Sequence, residues 1–150
     1  MEEKLSIKEG IIASAFDVIH PGYIRMFKNA KLYCNHLTVA LHEDPSVERS
    51  YKLQPVQSVE ERTEILRSIK YIDDVVTYKV EEEYLDYLKD GEYNVRFLGT
   101  DYKTRPYTGQ DIPIDIVWLD RESHEYSSTK LKTLIYESIK IKKAETENYD

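Results

Sequence analysis

The stretch Ile11–Phe27, IIASAFDVIHPGYIRMF, decides how the rest of the chain is read. It opens on a short apolar run and passes through small residues and Phe16-Asp17 to His20-Pro21-Gly22-Tyr23, where helical spacing begins. That order predicts a strand, a tight turn and a helix. Pro21 suits the first turn of a helix, where its missing N–H is not needed, and Gly22 lets a ligand approach the backbone closely. Amides at such a helix start face the carboxyl end of the strand, where open α/β sheets bind nucleotide phosphates.

Outward from this stretch, strands and helices alternate. The first strand is expected over Glu9–Ala15, and Phe27, Ala30 and Cys34 continue the helix at intervals that pack one face on a sheet. HLTVALH, His36–His42, reads as a second strand, and residues 43–57 as a polar connection able to cover a ligand. Ser58 and Glu61 form a capping box ahead of Arg62, Ile65, Leu66 and Ile69. A short strand, Asp74–Thr77, precedes a helix over 81–89, whose acids open it, whose Lys89 closes it and whose stop is Gly91. The acidic groups at 60–61 and 81–83 therefore read as helix starts, with no metal site assigned. Asn94–Leu98 and Ile114–Leu119 are the fourth and fifth strands, and Ser127 or Ser128 opens a last helix with Leu131, Leu134, Ile135 and Ile139 on one face.

The alternation implies right-handed crossovers and an α/β, doubly wound, five-stranded parallel sheet of the Rossmann-like kind. One domain is expected over residues 1–139, with frayed residues 1–8 and a disordered tail at 140–150. Forty-one per cent hydrophobic and 33% charged residues fit a soluble globular chain, and no apolar run reaches the roughly 20 residues of a membrane span. The start, MEEKLSIKEG, carries no signal-peptide pattern, and the single cysteine, Cys34, points to a reducing cytoplasm. A net charge of −7 argues against a general nucleic-acid binder and leaves room for a local basic pocket. His36, His42 and His124 have no motif around them and are read as structural or exposed, and the thirteen tyrosines as half-buried packing.

Three stretches, in order, resemble one family. AFDVIHPGYI looks like the TFDxxHxGHI signature of the nucleotidyltransferases that include glycerol-3-phosphate cytidylyltransferase. SVEERTEILRSIKYIDDVV looks like that family's S-x-E-x-R segment followed by RYVDEVI, and Arg121 with Tyr126-Ser127-Ser128-Thr129 resembles its R-T-x-G-I-S-T-T element with one extra residue between. The resemblance implies transfer of a cytidylyl group from CTP to a phosphorylated small molecule, with Mg²⁺ accompanying the triphosphate and a homodimer as the assembly. It assigns His20, Tyr23, Lys52 and Arg121 to the chemistry. Ala15, Phe16, Gly22, Asp101, Ser127, Ser128 and Thr129 go with His20 to the nucleotide, and Arg62, Lys70, Lys103 and Arg105 to the acceptor.

The departures carry information as well. Tyr23 stands where the family has its second histidine, replacing an imidazole with a phenol that donates a hydrogen bond and stays neutral at pH 7. Lys70 replaces an arginine fork with a point charge, and Thr100-Asp101-Tyr102 stands for GDDW in the loop Thr100–Gly109, where the acceptor is expected. Several of these residues have simpler readings: Ser127-Ser128 as a helix cap, and Lys52, Lys103 and Arg105 as solvated surface charge. Two further functions remain open, a nucleotide-binding regulatory module that has lost turnover and adenylyl transfer from ATP.

Overall fold

The computed structural model describes residues 8–120 and 126–147. Five parallel strands, β1 (Glu9–Ser14), β2 (His36–His42), β3 (Asp74–Tyr78), β4 (Val95–Gly99) and β5 (Asp115–Leu119), form one sheet in the order β3-β2-β1-β4-β5. Helices α1 (Pro21–Ala30), α2 (Val59–Arg67) and α3 (Glu81–Asp90) make the first three connections, and α4 (Ser128–Glu147) follows β5. The chain winds outward from β1 to β3 and then crosses back to β4, so the strand order reverses between β1 and β4. That reversal leaves a crevice at the strand carboxyl ends, the usual ligand position in such sheets. The expected α/β class and five-stranded parallel sheet are the ones observed.

Both sheet faces are covered, which is why β2 is buried at six of its seven positions. One core joins Ile12, Phe16, Phe27, Val39, Leu41 and Leu66 under α1 and α2, and the other joins Ile11, Ala40, Tyr78, Tyr84 and Leu88 under α3. His20 caps α1 through Nδ1, which accepts from the Gly22 amide at 3.1 Å, and Pro21 occupies the first turn. Both halves of the Ser58–Glu61 capping box form. Helix α3 has no cap from Val80, and Glu48 supplies one from a distance by accepting from the Glu81 amide at 2.9 Å.

Gly91 closes α3 with φ −84°, so left-handed backbone is not the reason for glycine there. A Cβ would lie 2.5 Å from the Tyr87 carbonyl and 2.2 Å from the Tyr93 ring, and the neighbouring Glu92 takes the positive φ of 56°. Two expectations change. Helix α1 ends at Ala30, and Cys34 lies beyond it, buried, with its thiol pushed up to about 11 by burial. The tail expected to be disordered from residue 140 is instead helical through Glu147, as KKAETE consists mostly of good helix formers. Residues 1–7, for which fraying was the expectation, Arg121, His124 and residues 148–150 lie outside the described residues.

Candidate active site

A cavity of about 530 Å³ opens at the strand carboxyl ends. Its first end is built by the turn after β1 and the start of α4, and includes Ala15, Phe16, Asp17, Tyr23, Ser128 and Lys132. Phe16 and Val18 hold φ of 46° and 55°, values that cost non-glycine residues roughly 1–3 kcal/mol each and persist only where packing dictates them. Packing does so here. Phe16 is fully buried with its ring 5.3 Å from those of both Tyr23 and Phe27, and the Val18 amide donates to the Gln57 side chain at 3.0 Å.

Between those two strained residues, Asp17 is 4% exposed and ties three segments together. Its carboxylate accepts from the Val56 and Gln57 amides at 2.7 and 3.0 Å and pairs with Lys132 at 2.6 Å. Burial alone would raise this carboxyl, but the Lys132 hydrogen bond and the two amides outweigh it and hold the group below its ordinary value. The Asp17 carbonyl accepts from the Ser128 hydroxyl at 2.6 Å, and Tyr23 Oη lies 3.1 Å from the same Oγ. The serine proton is thus directed at Asp17, which makes the phenol the donor to Ser128.

Tyr23 faces the cavity, and His20 lies behind it, 6% exposed, with ring centroids 4.1 Å apart in a stacked arrangement. Because His20 Nδ1 accepts from Gly22, its neutral tautomer carries the proton on Nε2. Ser127 Oγ accepts from the Lys130 amide at 2.9 Å and so caps α4, leaving Ser128 and Thr129 as the cavity residues of that element. The first amides of α4 have no partner within the helix and add positive potential at this end.

The other end of the cavity lies under β2, β3 and β4 and includes His42, Arg49, Lys52, Glu81, Tyr84 and Arg96. Glu81 is shared by Arg49 at 3.6 Å and His42 Nδ1 at 3.7 Å. Burial lowers the His42 imidazole from its ordinary value and the Glu81 charge only partly opposes this, so His42 is neutral at pH 7. His42, Glu48 and Glu81 have ligand atoms within 4.8 Å of one another. With Glu48 capping α3 and Arg49 against Glu81, those groups already have partners.

The positions expected from sequence divide into two groups. Ala15, Phe16, Tyr23, Lys52, Ser128 and Thr129 line the cavity. Arg62 does not line the cavity: it is 1% exposed and its donors are committed to the carbonyls of Ala15, His42, Glu43, Gln57 and Ser58. Lys70 is corrected as well, because it precedes β3 at the amino edge of the sheet, opposite the cavity, over the Tyr71 ring. In the loop after β4, Asp101 and Arg105 pair with each other at 2.8 Å on the surface and Lys103 lies over Trp118, while Tyr102, Pro106, Tyr107 and Thr108 face the cavity instead. Gly22 is buried at the α1 start. Sequence reading missed Asp17, Lys132 and Arg96. Lys132 was legible in principle, since it stands four residues after Ser128 on the same helix face.

A crevice at the strand-order reversal, closed by a strained turn and a helix start carrying hydroxyls and a lysine, defines a nucleotide-binding domain of the nucleotidyltransferase class. The chain belongs to the cytidylyltransferase-like family, whose profile matches residues 11–134. Among curated relatives it is 31% identical over 107 residues to the bifunctional protein HldE of Hyphomonas neptunium, covering 71% of this chain and 22% of that one. It is 35% identical over 91 residues to the FAD synthase of Pyrococcus horikoshii, covering 61% of this chain and 62% of that one. The matched region is thus less than two thirds of either relative. A lipopolysaccharide core biosynthesis protein from Thermoplasma volcanium shares the fold with a TM-score of 0.64 at 18% identity, over 81% of this chain and all of that one. No helix among the described residues is long and apolar enough to cross a membrane.

Proposed function

We propose that this domain transfers a cytidylyl group from CTP to a phosphorylated small molecule, releasing pyrophosphate. The observation that supports it most is the convergence of Tyr23, Ser128 and Lys132 on one end of the cavity, where a helix start and a lysine together suit a triphosphate. An oxygen of the acceptor phosphate attacks the α-phosphorus in line, one P–O bond forms, and the bond to the β-phosphate oxygen breaks. A phosphate monoester is largely dianionic at neutral pH, so the nucleophile needs no base. The protein's contribution is positioning and charge stabilisation. Lys132 exchanges Asp17 for a phosphate, Tyr23 donates from its phenol, and His20, behind Tyr23, orients it by stacking. Arg121, outside the described residues, keeps only the role that the motif resemblance gives it, and Lys52 lines the cavity from the 43–57 connection.

Mg²⁺ fits this reading as a companion of the triphosphate. The only acid at that end shown to line the cavity, Asp17, is held by Lys132 and two amides, so the ion takes its oxygens from phosphate and water, as Mg²⁺ commonly does. A homodimer in the cytoplasm is the proposed form. In support, α4 buries none of its residues and leaves Ile135 and Ile139 more than half exposed one turn apart, and the lone Cys34 is a buried free thiol. The name of the archaeal relative, FAD synthase, favours a second reading with ATP as donor. Pyrophosphate release measured with CTP and with ATP, each with Mg²⁺, over phosphorylated polyols, sugars and amino-acid derivatives tests both. Turnover with CTP supports the first, turnover confined to ATP replaces it by the second, and binding of either without turnover leaves a regulatory module.

A further inference from the structure

Arg96 is the feature that phosphate transfer alone does not use. It sits inside β4, 2% exposed, and yet lines the cavity. Nη2 donates to Tyr84 Oη and Nη1 to the Gly109 carbonyl, both at 3.2 Å, while Nε is buried with no hydrogen-bond partner. The guanidinium lies between two rings, 5.5 Å from the centroid of each of Tyr84 and Tyr107. No carboxylate pairs with it among the described residues, and the cavity acid on the adjoining helix, Glu81, is engaged by Arg49 and His42. Burying a cation without a counter-charge is costly, and aromatic faces offset only about 0.5–2 kcal/mol of it.

The surroundings are shaped around this group. Gly109 has φ +75°, and a Cβ there would meet Arg96 Nη1 at 2.9 Å and Leu88 at 2.7 Å, so the loop can close onto the guanidinium only through glycine. Arg96 is level with Ile11 in the sheet, three residues before Ser14, and packs with Tyr84 on the α3 side. Tyr23, Ser128 and Lys132 lie past the end of β1. At about 3.3 Å per residue, the Arg96 backbone is set back about 10 Å along the strands from the end of β1.

We propose that Arg96 receives a second anionic group of the acceptor, at the end remote from the phosphate that reacts. Naming the bound molecule as acceptor rests on the nucleotidyl-transfer reading; the anion site at Arg96 does not. The acceptor is then a small molecule with a phosphate at one end and a second phosphate or a carboxylate at the other. Acceptors with a neutral far end leave the cation unpaired and are discriminated against.

The only tryptophan, Trp118, has its ring 6.0 Å from that of Tyr107, so its fluorescence reports on this corner. Inorganic phosphate and malonate are titrated separately into the wild type, Arg96→Gln and Arg96→Lys, with CTP binding followed in parallel by thermal shift. At least one anion should change Trp118 emission in the wild type, with affinity falling about 30-fold or more in Arg96→Gln and partly retained in Arg96→Lys. A response to phosphate alone assigns a phosphorylated far end, and one to malonate alone a carboxylate. CTP affinity should stay the same in all three proteins. Equal titrations in wild type and Arg96→Gln, or no response in the wild type, overturn the proposal. Loss of CTP binding in every protein with the anion response intact overturns the transfer reading and leaves the anion site standing. If Arg96→Gln does not fold, the same comparison is read from Arg96→Lys, whose affinity for the anion must fall while its affinity for CTP does not.

Discussion

Replacing Arg62 by alanine separates a scaffolding role from a binding one. Its Nη1 donates to the Ala15 and His42 carbonyls at 2.9 Å each, Nη2 to Glu43 at 2.6 Å, and Nε to Gln57 and Ser58 at 3.1 and 3.3 Å. One guanidinium therefore joins the ends of β1 and β2 to the start of α2. Removing it strands those carbonyls in a buried site and opens a void. Breaking a buried charged group's contacts costs about 3–5 kcal/mol, a fifth or more of the roughly 5–15 kcal/mol that holds a domain together. With a urea m-value of about 2 kcal/mol/M, the unfolding midpoint should drop by about 1.5–2.5 M. Arg62→Lys should recover only part, because an ammonium cannot span the five carbonyls. The assay is urea unfolding by circular dichroism, beside acceptor KM for the more stable variant. Wild-type stability in Arg62→Ala, with a raised acceptor KM, would refute the structural role and return Arg62 to the binding residues.

Three further outcomes are expected. Lys132→Met should weaken CTP binding about tenfold or more by loss of one charge-assisted contact, and equal thermal shifts in variant and wild type would exclude Lys132 from the triphosphate site. Stability should fall in two stages on acidification. His42 is held below its ordinary value of 6.5, so its contribution is full above that pH and is lost as pH falls through the folded value. Asp17, also depressed, follows at lower pH, below the ordinary carboxylate value, and His42→Gln should remove only the upper stage of a Tm–pH profile. Light scattering should give twice the 17.7 kDa chain mass, and Ile135→Glu with Ile139→Glu should return the monomer; a wild-type monomer at micromolar concentration removes the dimer.

The fold was legible because local signals agreed with one another. HLTVALH is bounded by polar residues, and β2 has the bounds expected, His36–His42; Ser58 and Glu61 state their capping box in the sequence itself. The candidate site was legible only where a motif coincides with a sheet end, as at Ala15, Phe16, Tyr23 and Ser128. Charged residues misled, since a sequence does not say which way a long side chain points. Arg62 was read from its motif as a ligand and turns inward to backbone. Lys70 is a motif match at the wrong edge of the sheet, and Arg105 satisfies itself on Asp101 one turn away. Arg96 was hidden for the opposite reason. Within VRFLG it looks like the polar member of an alternating strand, and only the register with β1 and the return of Gly109 show that it is buried.

Tyr23 decides whether the altered signature still supports turnover. Its ring stacks on His20 and meets Phe16 edge-on, while its hydroxyl reaches Ser128, so ring and hydroxyl have separable duties. Tyr23→Phe keeps the first and deletes the second. If the hydroxyl only secures α4 to the turn, stability should fall by about 0.5–1.5 kcal/mol and kcat should hold. If it also donates to the α-phosphate or the leaving oxygen, kcat should fall about tenfold or more, since each 1.36 kcal/mol of transition-state stabilisation is a factor of ten. Ser128→Ala is the control: it breaks the same link and leaves the phenol able to turn to substrate. The transfer reading expects Tyr23→Phe to lower kcat, while Ser128→Ala, which takes a hydroxyl from the triphosphate end, acts chiefly on CTP affinity. Equal kcat in both variants and the wild type would confine Tyr23 to architecture. An inactive wild type that gains turnover from Tyr23→His would show that the phenol does not replace the imidazole and that this chain binds nucleotide without transferring it.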